Sequence, residues 1–167
     1  MPYELRDVIF YVVEKLGGQV EGLKKLMKLL FLIQYDLPGR FSSNVVKYLY
    51  DDKPICRGEF YIWSYGPFMN EVYDVIEEEF IIDESEPPYI IMLPEDYKYS
   101  ELPEEVGKRI DKVLSKHGKK RGWELEKLVC ERLGLEESRK EEYMGVHIDL
   151  YIKKELGDLR FRELKKV

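Results

Sequence analysis

The chain has 167 residues, a formal net charge of −6, 44% hydrophobic side chains and 36% charged side chains. This balance excludes a disordered chain, and the acidic charge argues against general coating of nucleic acid, whose phosphates it would repel. The most apolar run, residues 26–33, is too short to span a bilayer, and no signal peptide is recognisable, so we expect no membrane segment. We expect one domain over residues 1–167, and its lack of Ala and Thr, few amides and many Lys and Glu resemble the composition of hyperthermophile proteins.

The chain has two cysteines, Cys56 and Cys130, which are far apart and outside any CxxC motif. This pattern favours two reduced thiols over a disulfide framework or a zinc site. We therefore expect a cytoplasmic protein.

Two helices of different character are predicted at the start of the chain. Residues 5–16 have apolar side chains on one face, and the helix ends at Gly17 and Gly18. In residues 20–36 apolar side chains surround the helix axis, and the main interruption is a polar wedge of Lys24, Lys25 and Lys28. A helix that is apolar on nearly all sides is buried, so we expect a central helix. Its expected core residues are Leu26, Leu29 and Leu30.

The central feature of the sequence is residues 60–73, which we call the aromatic turn segment. Residues 60–63 are aromatic and β-branched, which favours a short, mostly buried strand. Gly66 permits a backbone conformation that other residues resist, and Pro67 suits the first position of a following helix. Before this segment, the residues Ser42, Ser43 and Asn44 predict the cap of a short helix over residues 45–49.

The second half of the chain predicts a hairpin and further helices. Residues 80–82 and 89–93 are typical of two short antiparallel strands. Helices are predicted from Pro103 to Gly118 and from Trp123 to Gly134. Residues 144–156 fit either a strand or a helix, and we favour a helix that is capped by Asp149 and ends at Gly157. The predicted fold class is mainly α (α+β): a single compact helical domain with a central buried helix and a small antiparallel β-hairpin.

Two segments resemble a known family. They are Lys25-Leu-Met-Lys-Leu-Leu-Phe-Leu-Ile-Gln34, and Phe60-Tyr-Ile-Trp-Ser-Tyr-Gly-Pro-Phe68 followed by Glu71-Val-Tyr73. They resemble the helix, aromatic strand, Tyr-Gly-Pro turn and following helix of the Panacea domain, the SocA-like (also GepA-like) antitoxin family. The similarity covers roughly residues 5–133. Residues 134–167 form a C-terminal extension without a counterpart, expected to be helical or a hairpin.

The resemblance implies a compact, mostly helical domain that binds a partner protein. In the best-known branch of the family the domain neutralises a toxin, and one member is an adaptor that delivers its toxin to a protease. The partner is commonly encoded beside the domain. No dedicated toxin-binding tail is recognisable in this chain, so we expect a partner to dock on the domain itself.

Each candidate binding residue has a structural alternative. Tyr65 and Tyr73 fit a recognition surface, since aromatic residues dominate binding hot spots, and fit equally well a role in locking the turn. For Trp63, Gly66 and Pro67 we favour the structural role. Lys24, Lys25 and Lys28 fit either a docking patch for an acidic partner or a solvated face of the central helix.

The remaining features do not predict an enzyme. The basic run of residues 116–121 includes His117 and is twice as readily explained by a solvated helix end as by phosphate contacts. His147 and Asp149 alone make a poor metal site, and no catalytic arrangement is recognisable, so we predict no catalysis, no metal and no cofactor. The leading hypothesis is a protein-binding antitoxin or adaptor. The alternative is a winged-helix-like DNA-binding regulator with residues 80–93 as the wing, so nucleic acid is a possible but less favoured partner.

Overall fold

The structure is a computed structural model that describes residues 2–39 and 44–165. The helices within these residues are α1 (Leu5–Lys15), α2 (Leu23–Gln34), α3 (Glu71–Glu79), α4 (Glu104–His117), α5 (Gly122–Leu133), α6 (Glu137–Glu142) and α7 (Ile148–Tyr151), which continues into a π-helical turn, Ile152–Leu156. The strands are β1 (Gln19–Glu21), β2 (Tyr35–Asp36), β3 (Asn44–Tyr50), β4 (Lys53–Pro54), β5 (Tyr61–Trp63), β6 (Gly66–Phe68), β7 (Ile81–Asp83), β8 (Ile90–Met92) and β9 (Asp158–Glu163).

The strands in the described part of the chain form three sheets. One sheet has the order β1-β8-β7 and is antiparallel throughout. In the four-stranded sheet β3 is central: β2 and β4 pair with it antiparallel, and β9 pairs with it in parallel over residues 44–49. The third is the β5–β6 hairpin. The prediction of a helical domain with one hairpin is therefore wrong, and the fold is mixed α+β.

The core is organised around α2, as the sequence predicted. Leu26, Leu29 and Leu30 are fully buried, and they belong to one continuous hydrophobic cluster that extends from Tyr3 to Leu156. The C-terminal end of α2 is satisfied by side chains from other helices. Arg109 on α4 donates hydrogen bonds to the carbonyl oxygens of Leu32 (2.8 Å) and Ile33 (3.1 Å). These contacts supply donors for carbonyls that have no partner within the helix.

The predicted short helix over residues 45–49 is wrong, because this segment is strand β3. Its residues, Val-Val-Lys-Tyr-Leu, include the β-branched and aromatic types that favour strands, and both edges of β3 are paired. Of the predicted cap, Ser42 and Ser43 lie outside the described residues, and Asn44 is the first residue of the strand.

Two further boundaries differ from the prediction. Pro67 does not start a helix: it lies in β6 opposite Ile62, and α3 begins only at Glu71. At the C-terminal end a helix is present over residues 148–156, but its cap is His147, whose Nδ1 atom accepts a hydrogen bond from the backbone of Asp149. Gly157, with φ +101°, ends it, and β9 follows. None of the described helices combines the length and apolar character needed to cross a membrane.

Candidate partner-binding surface

The β5–β6 hairpin presents the aromatic turn segment at the surface. Trp63 pairs with Gly66, so that Ser64 and Tyr65 form a two-residue turn. Gly66 has φ +98°, a conformation that side chains resist, and its missing Cβ would lie 3.2 Å from Sγ of Cys130 on α5. The turn therefore requires glycine both for its backbone and for its close approach to α5.

Lys28 fixes this hairpin to the central helix. Its side chain is only 2% exposed, and Nζ donates a hydrogen bond of 3.0 Å to the carbonyl oxygen of Pro67. Burial lowers the pKa of Lys28 to about 8, because the charged ammonium loses its hydration. The expectation that Lys28 belongs to a surface lysine patch is therefore wrong, and its role is internal.

Four aromatic side chains on the hairpin and α3 form what we call the aromatic surface: Trp63, Tyr65, Phe68 and Tyr73. The ring of Phe68 lies between two others, with its centroid 6.4 Å from that of Trp63 and 5.2 Å from that of Tyr73. Trp63 is 39% exposed, Tyr65 61% and Tyr73 48%. Large aromatic side chains that remain open to solvent on a fixed support are typical of binding hot spots.

Trp63 is more exposed than the mostly buried strand predicted for residues 60–63 would make it. Along residues 60–63 the side chains of Phe60 and Ile62 are fully buried, whereas Trp63 is exposed. Neighbouring residues of a strand point to opposite sides, so Trp63 shares the outer side with Tyr61. The two-residue alternation of a strand predicts such a difference, but the unbroken aromatic and β-branched run favoured a mostly buried strand.

The structure brings two of the five predicted binding residues, Lys24 and Tyr65, into direct contact. Nζ of Lys24 lies 4.3 Å from the ring centroid of Tyr65 and 2.8 Å from the carboxylate of Glu126, so Lys24 borders the aromatic surface that includes Tyr73. Lys25 lines a neighbouring pocket together with Lys24 and Trp123, a residue that the sequence did not single out as a site.

The basic run of residues 116–121 does not form one charged stripe. His117 is buried, and its Nδ1 atom lies 2.9 Å from Nζ of Lys120. Burial, followed by the nearby positive charges of Lys120 and Lys116, lowers the pKa of His117 to about 4. Lys119 and Arg121 turn instead towards the pocket that contains Lys25.

A second polar cluster joins the aromatic turn segment to the C-terminal part of the chain. Lys47 on β3 is buried, and its Nζ atom lies 3.1 Å from Oε2 of Glu59 and 2.7 Å from Oδ2 of Asp149. The hydroxyl group of Tyr35 donates to Oδ1 of Asp149 at 2.5 Å, and Nε2 of His147 contacts Oε2 of Glu59. We call these five residues the Lys47 network.

Contacts within the Lys47 network and burial shift the pKa values of two of its members, Glu59 and Tyr35. Burial opposes ionisation of Glu59, but the hydrogen bond from His147 and the charge of Lys47 outweigh it, so the pKa of Glu59 lies below its usual value. Burial, reinforced by the charge of Asp149, raises the pKa of Tyr35 well above its usual value. Tyr35 is therefore a neutral hydrogen-bond donor at physiological pH.

Glu59, His147 and Asp149 have the atom types of a metal site, with ligand atoms within 4.8 Å of one another. Their hydrogen bonds do not suit a metal. Nδ1 of His147 accepts the Asp149 backbone N–H at 3.0 Å, so in neutral histidine Nε2 carries the proton and points it at Glu59. The ammonium group of Lys47 already forms an ion pair with each of the two carboxylates. The cluster is better described as an internal ion-pair network.

The family resemblance is confirmed by comparison with known proteins. Residues 26–132, from α2 to α5, match the family model described as antitoxin SocA-like, Panacea domain. This match spans well over half of the chain and includes the hairpin and the aromatic surface, and the chain therefore belongs to the SocA-like Panacea domain family. No curated protein and no solved structure matches the chain.

Proposed function

We propose that this domain is an antitoxin-type interaction module that binds a partner protein, a toxin encoded beside it, and neutralises that toxin by stoichiometric contact. Membership of the SocA-like Panacea family supports a protein partner. The single observation that carries the proposal is the aromatic surface: Trp63 and Tyr65 are exposed on a hairpin fixed to the core, and Tyr73 is exposed on α3, where Phe68 lies between its ring and that of Trp63.

The supporting elements are well suited to hold such a surface in place. Lys28 connects β6 to α2 through a buried hydrogen bond, and Gly66 allows the turn to approach α5 closely. A surface that is already ordered loses little conformational entropy on binding, which favours tight association. Lys24, beside Tyr65, forms an ion pair with Glu126 at the rim, where charged groups influence association rate and partner choice.

We propose that the domain acts without catalysis, metal or cofactor, either by covering the active surface of the toxin or as an adaptor that presents the toxin to a protease. The Lys47 network, the densest polar cluster described above, is saturated by its own hydrogen bonds and ion pairs. A cytoplasmic location would keep Cys56 and Cys130, both free thiols, in their reduced state.

The winged-helix alternative fits the charges less well. The β7–β8 hairpin, which would be the wing, carries Asp83 at the end of β7 and Glu84 and Glu86 in its turn. Phosphates repel these carboxylates, so we favour a protein partner over DNA.

The proposal is tested by co-expressing the domain with the protein encoded by the adjacent gene. We expect the neighbour alone to inhibit growth, the domain to restore growth, and the two proteins to co-purify. A Trp63→Ala/Tyr65→Ala variant should lose both rescue and co-purification. Tyr89→Ala, which removes a similarly exposed aromatic side chain from β7–β8, is the matched control and should keep both. Rescue that survives the double substitution would show that the partner uses another surface, and a harmless neighbour that does not co-purify would contradict the proposal.

A further inference from the structure

A basic pocket lies beside the aromatic surface, between the start of α2, the α4–α5 connection and the segment that leads into β8. Its volume is about 540 Å³. Four cationic side chains line it, from Lys24, Lys25, Lys119 and Arg121, whereas the lining includes one carboxylate, Glu21. The pocket is therefore a concentrated positive site in a chain whose net charge is −6.

Three of these cations have no internal counter-ion. Lys24 pairs with Glu126 at 2.8 Å. Across residues 2–39 and 44–165, no carboxylate forms an ion pair with the side chain of Lys25, Lys119 or Arg121. Glu124 is occupied by the backbone N–H of Arg121, at 3.1 Å. Like charges around one cavity repel one another, so an anionic ligand in the pocket is favoured.

The walls of the pocket are suited to a flat, weakly polar group. The indole of Trp123, 62% exposed, lines one part of it, and the ring of Pro88 lines another. Gly22 leaves the space between the start of α2 and Pro88 open, because a Cβ at this position would lie 3.7 Å from Cβ of Pro88. An exposed indole beside cations is a platform on which a nucleobase can stack.

We propose that the basic pocket binds a nucleoside polyphosphate, with the base against Trp123 and the phosphates among Lys25, Lys119 and Arg121. The charge density of the site supports phosphates over peptide carboxylates. A diphosphate or triphosphate places several negative charges on adjoining groups, which match three unpaired cations in one small cavity. Peptide carboxylates are single charges spaced along a chain, so few of them fit into this volume together. This site adjoins the aromatic surface, with Lys24 bordering both, but none of the three unpaired cations belongs to that surface, and the proposed ligand does not depend on its function.

The proposal is tested by fluorescence titration of the full chain carrying Trp63→Phe, in which Trp123 is the sole tryptophan. We expect ATP and ADP to change its emission saturably, and adenosine or inorganic pyrophosphate alone to bind at least about tenfold more weakly, since each supplies half of the contacts. Lys25→Glu and Arg121→Glu should each weaken ADP binding about tenfold or more. Lys127→Glu, an exposed lysine of α5 outside the pocket lining, is the charge-matched control and should leave the affinity unchanged.

Equilibrium dialysis with labelled ADP checks binding independently of fluorescence, and melting temperatures verify that each variant is folded. A short single-stranded oligonucleotide could also bind more tightly than ADP and lose affinity with the same substitutions. That result would show that the pocket recognises a base and phosphates at the end of a nucleic acid. Absence of saturable ATP or ADP binding at millimolar concentration in both assays would overturn the proposal. So would affinity that Lys25→Glu and Arg121→Glu leave intact, or a Glu-rich peptide that binds this site as tightly as ATP.

Discussion

The ammonium nitrogen of Lys28 lies 3.0 Å from the carbonyl oxygen of Pro67, and this buried contact joins the central helix to the hairpin that carries the aromatic surface. Because Lys28 is on α2 and Pro67 is on β6, the hydrogen bond bridges two elements that are 39 residues apart. It holds the hairpin against the central helix.

Lys28 should make the unfolding free energy of the protein depend on pH in the alkaline range. Its pKa of about 8 in the folded protein lies below the ordinary value of 10.5, so the unfolded chain binds more protons between these values. Stability contributed by Lys28 is therefore complete above the unfolded pKa and is lost as the pH falls through the folded pKa. We expect the unfolding free energy of the native protein, relative to Lys28→Met, to rise by about 2 kcal/mol between about pH 7 and about pH 10. Urea titrations at several pH values measure this difference.

The matched control for Lys28 is Lys127→Met, which changes an exposed lysine. Its unfolding free energy should follow that of the native protein at every pH. A Lys28→Met variant that does the same would show that burial does not perturb Lys28.

Substitutions of Gly66 and Gly17 distinguish the cost of backbone strain from the cost of steric contact. Both have φ +98°, but a Cβ on Gly66 would lie 3.2 Å from Sγ of Cys130, whereas a Cβ on Gly17 would meet nothing within 4 Å. Gly17→Ala should cost about 1 kcal/mol from the backbone alone. Gly66→Ala should cost more, about 2 kcal/mol, and Gly66→Val more again, because larger groups press against α5. Chemical denaturation measures all three variants, and equal losses for Gly17→Ala and Gly66→Ala would rule out the packing contribution.

Trp63 and Phe60 should respond differently to truncation, although they lie three residues apart. Phe60 is fully buried, with its ring centroid 5.2 Å from that of Phe31, so Phe60→Ala should cost about 3–5 kcal/mol. Trp63 is partly exposed, so Trp63→Ala should cost only about 1 kcal/mol while it weakens partner binding. Thermal melts and pull-downs of the two variants provide the comparison. A loss of stability in Trp63→Ala as large as that in Phe60→Ala would make Trp63 a core residue.

The features that sequence predicted well are those with local causes. The central helix followed from the unbroken apolar run around Leu26, Leu29 and Leu30, and the end of α5 followed from Gly134, which adopts φ +66°. Strand β3 was mistaken for a helix because its pairing with β9 joins residues more than a hundred positions apart. A short apolar segment such as residues 45–49 fits the period of a helix and the period of a strand equally well. Only its pairing with a distant strand decides between the two.

The candidate sites show the same limit. The spacing in residues 60–73 indicated an aromatic turn, but the exposure of Trp63 depends on what covers each side of the hairpin. Helix periodicity groups Lys28 with Lys24 and Lys25, so the sequence placed it in the same polar wedge. The sequence does not show that Pro67, 39 residues later, packs over Lys28 and accepts its hydrogen bond. The basic pocket likewise brings together Lys25 and Lys119, which come from two separate helical regions.

The Lys47 network should couple residues that lie far apart in sequence. Lys47→Met removes the cation between Glu59 and Asp149, and a partly buried carboxylate left without its counter-ion is destabilising, so we expect a loss of about 3–5 kcal/mol. Asp149→Asn leaves Lys47 paired with Glu59 and keeps an oxygen for Tyr35, so it should cost less. The double variant should lose less than the sum of the two, with a coupling of about 1–3 kcal/mol in a double-mutant cycle.

The exposed pair Lys165–Asp51, at 2.6 Å, is the matched control for this cycle. Solvent screens an exposed pair, so the double-mutant cycle of Lys165→Met and Asp51→Asn should give a coupling energy close to zero. Additive losses for Lys47→Met and Asp149→Asn, similar to those of the exposed pair, would contradict the network. Strong coupling would instead show that the C-terminal residues His147 and Asp149 help to hold the base of the hairpin at Glu59, since Lys47 contacts both carboxylates at once.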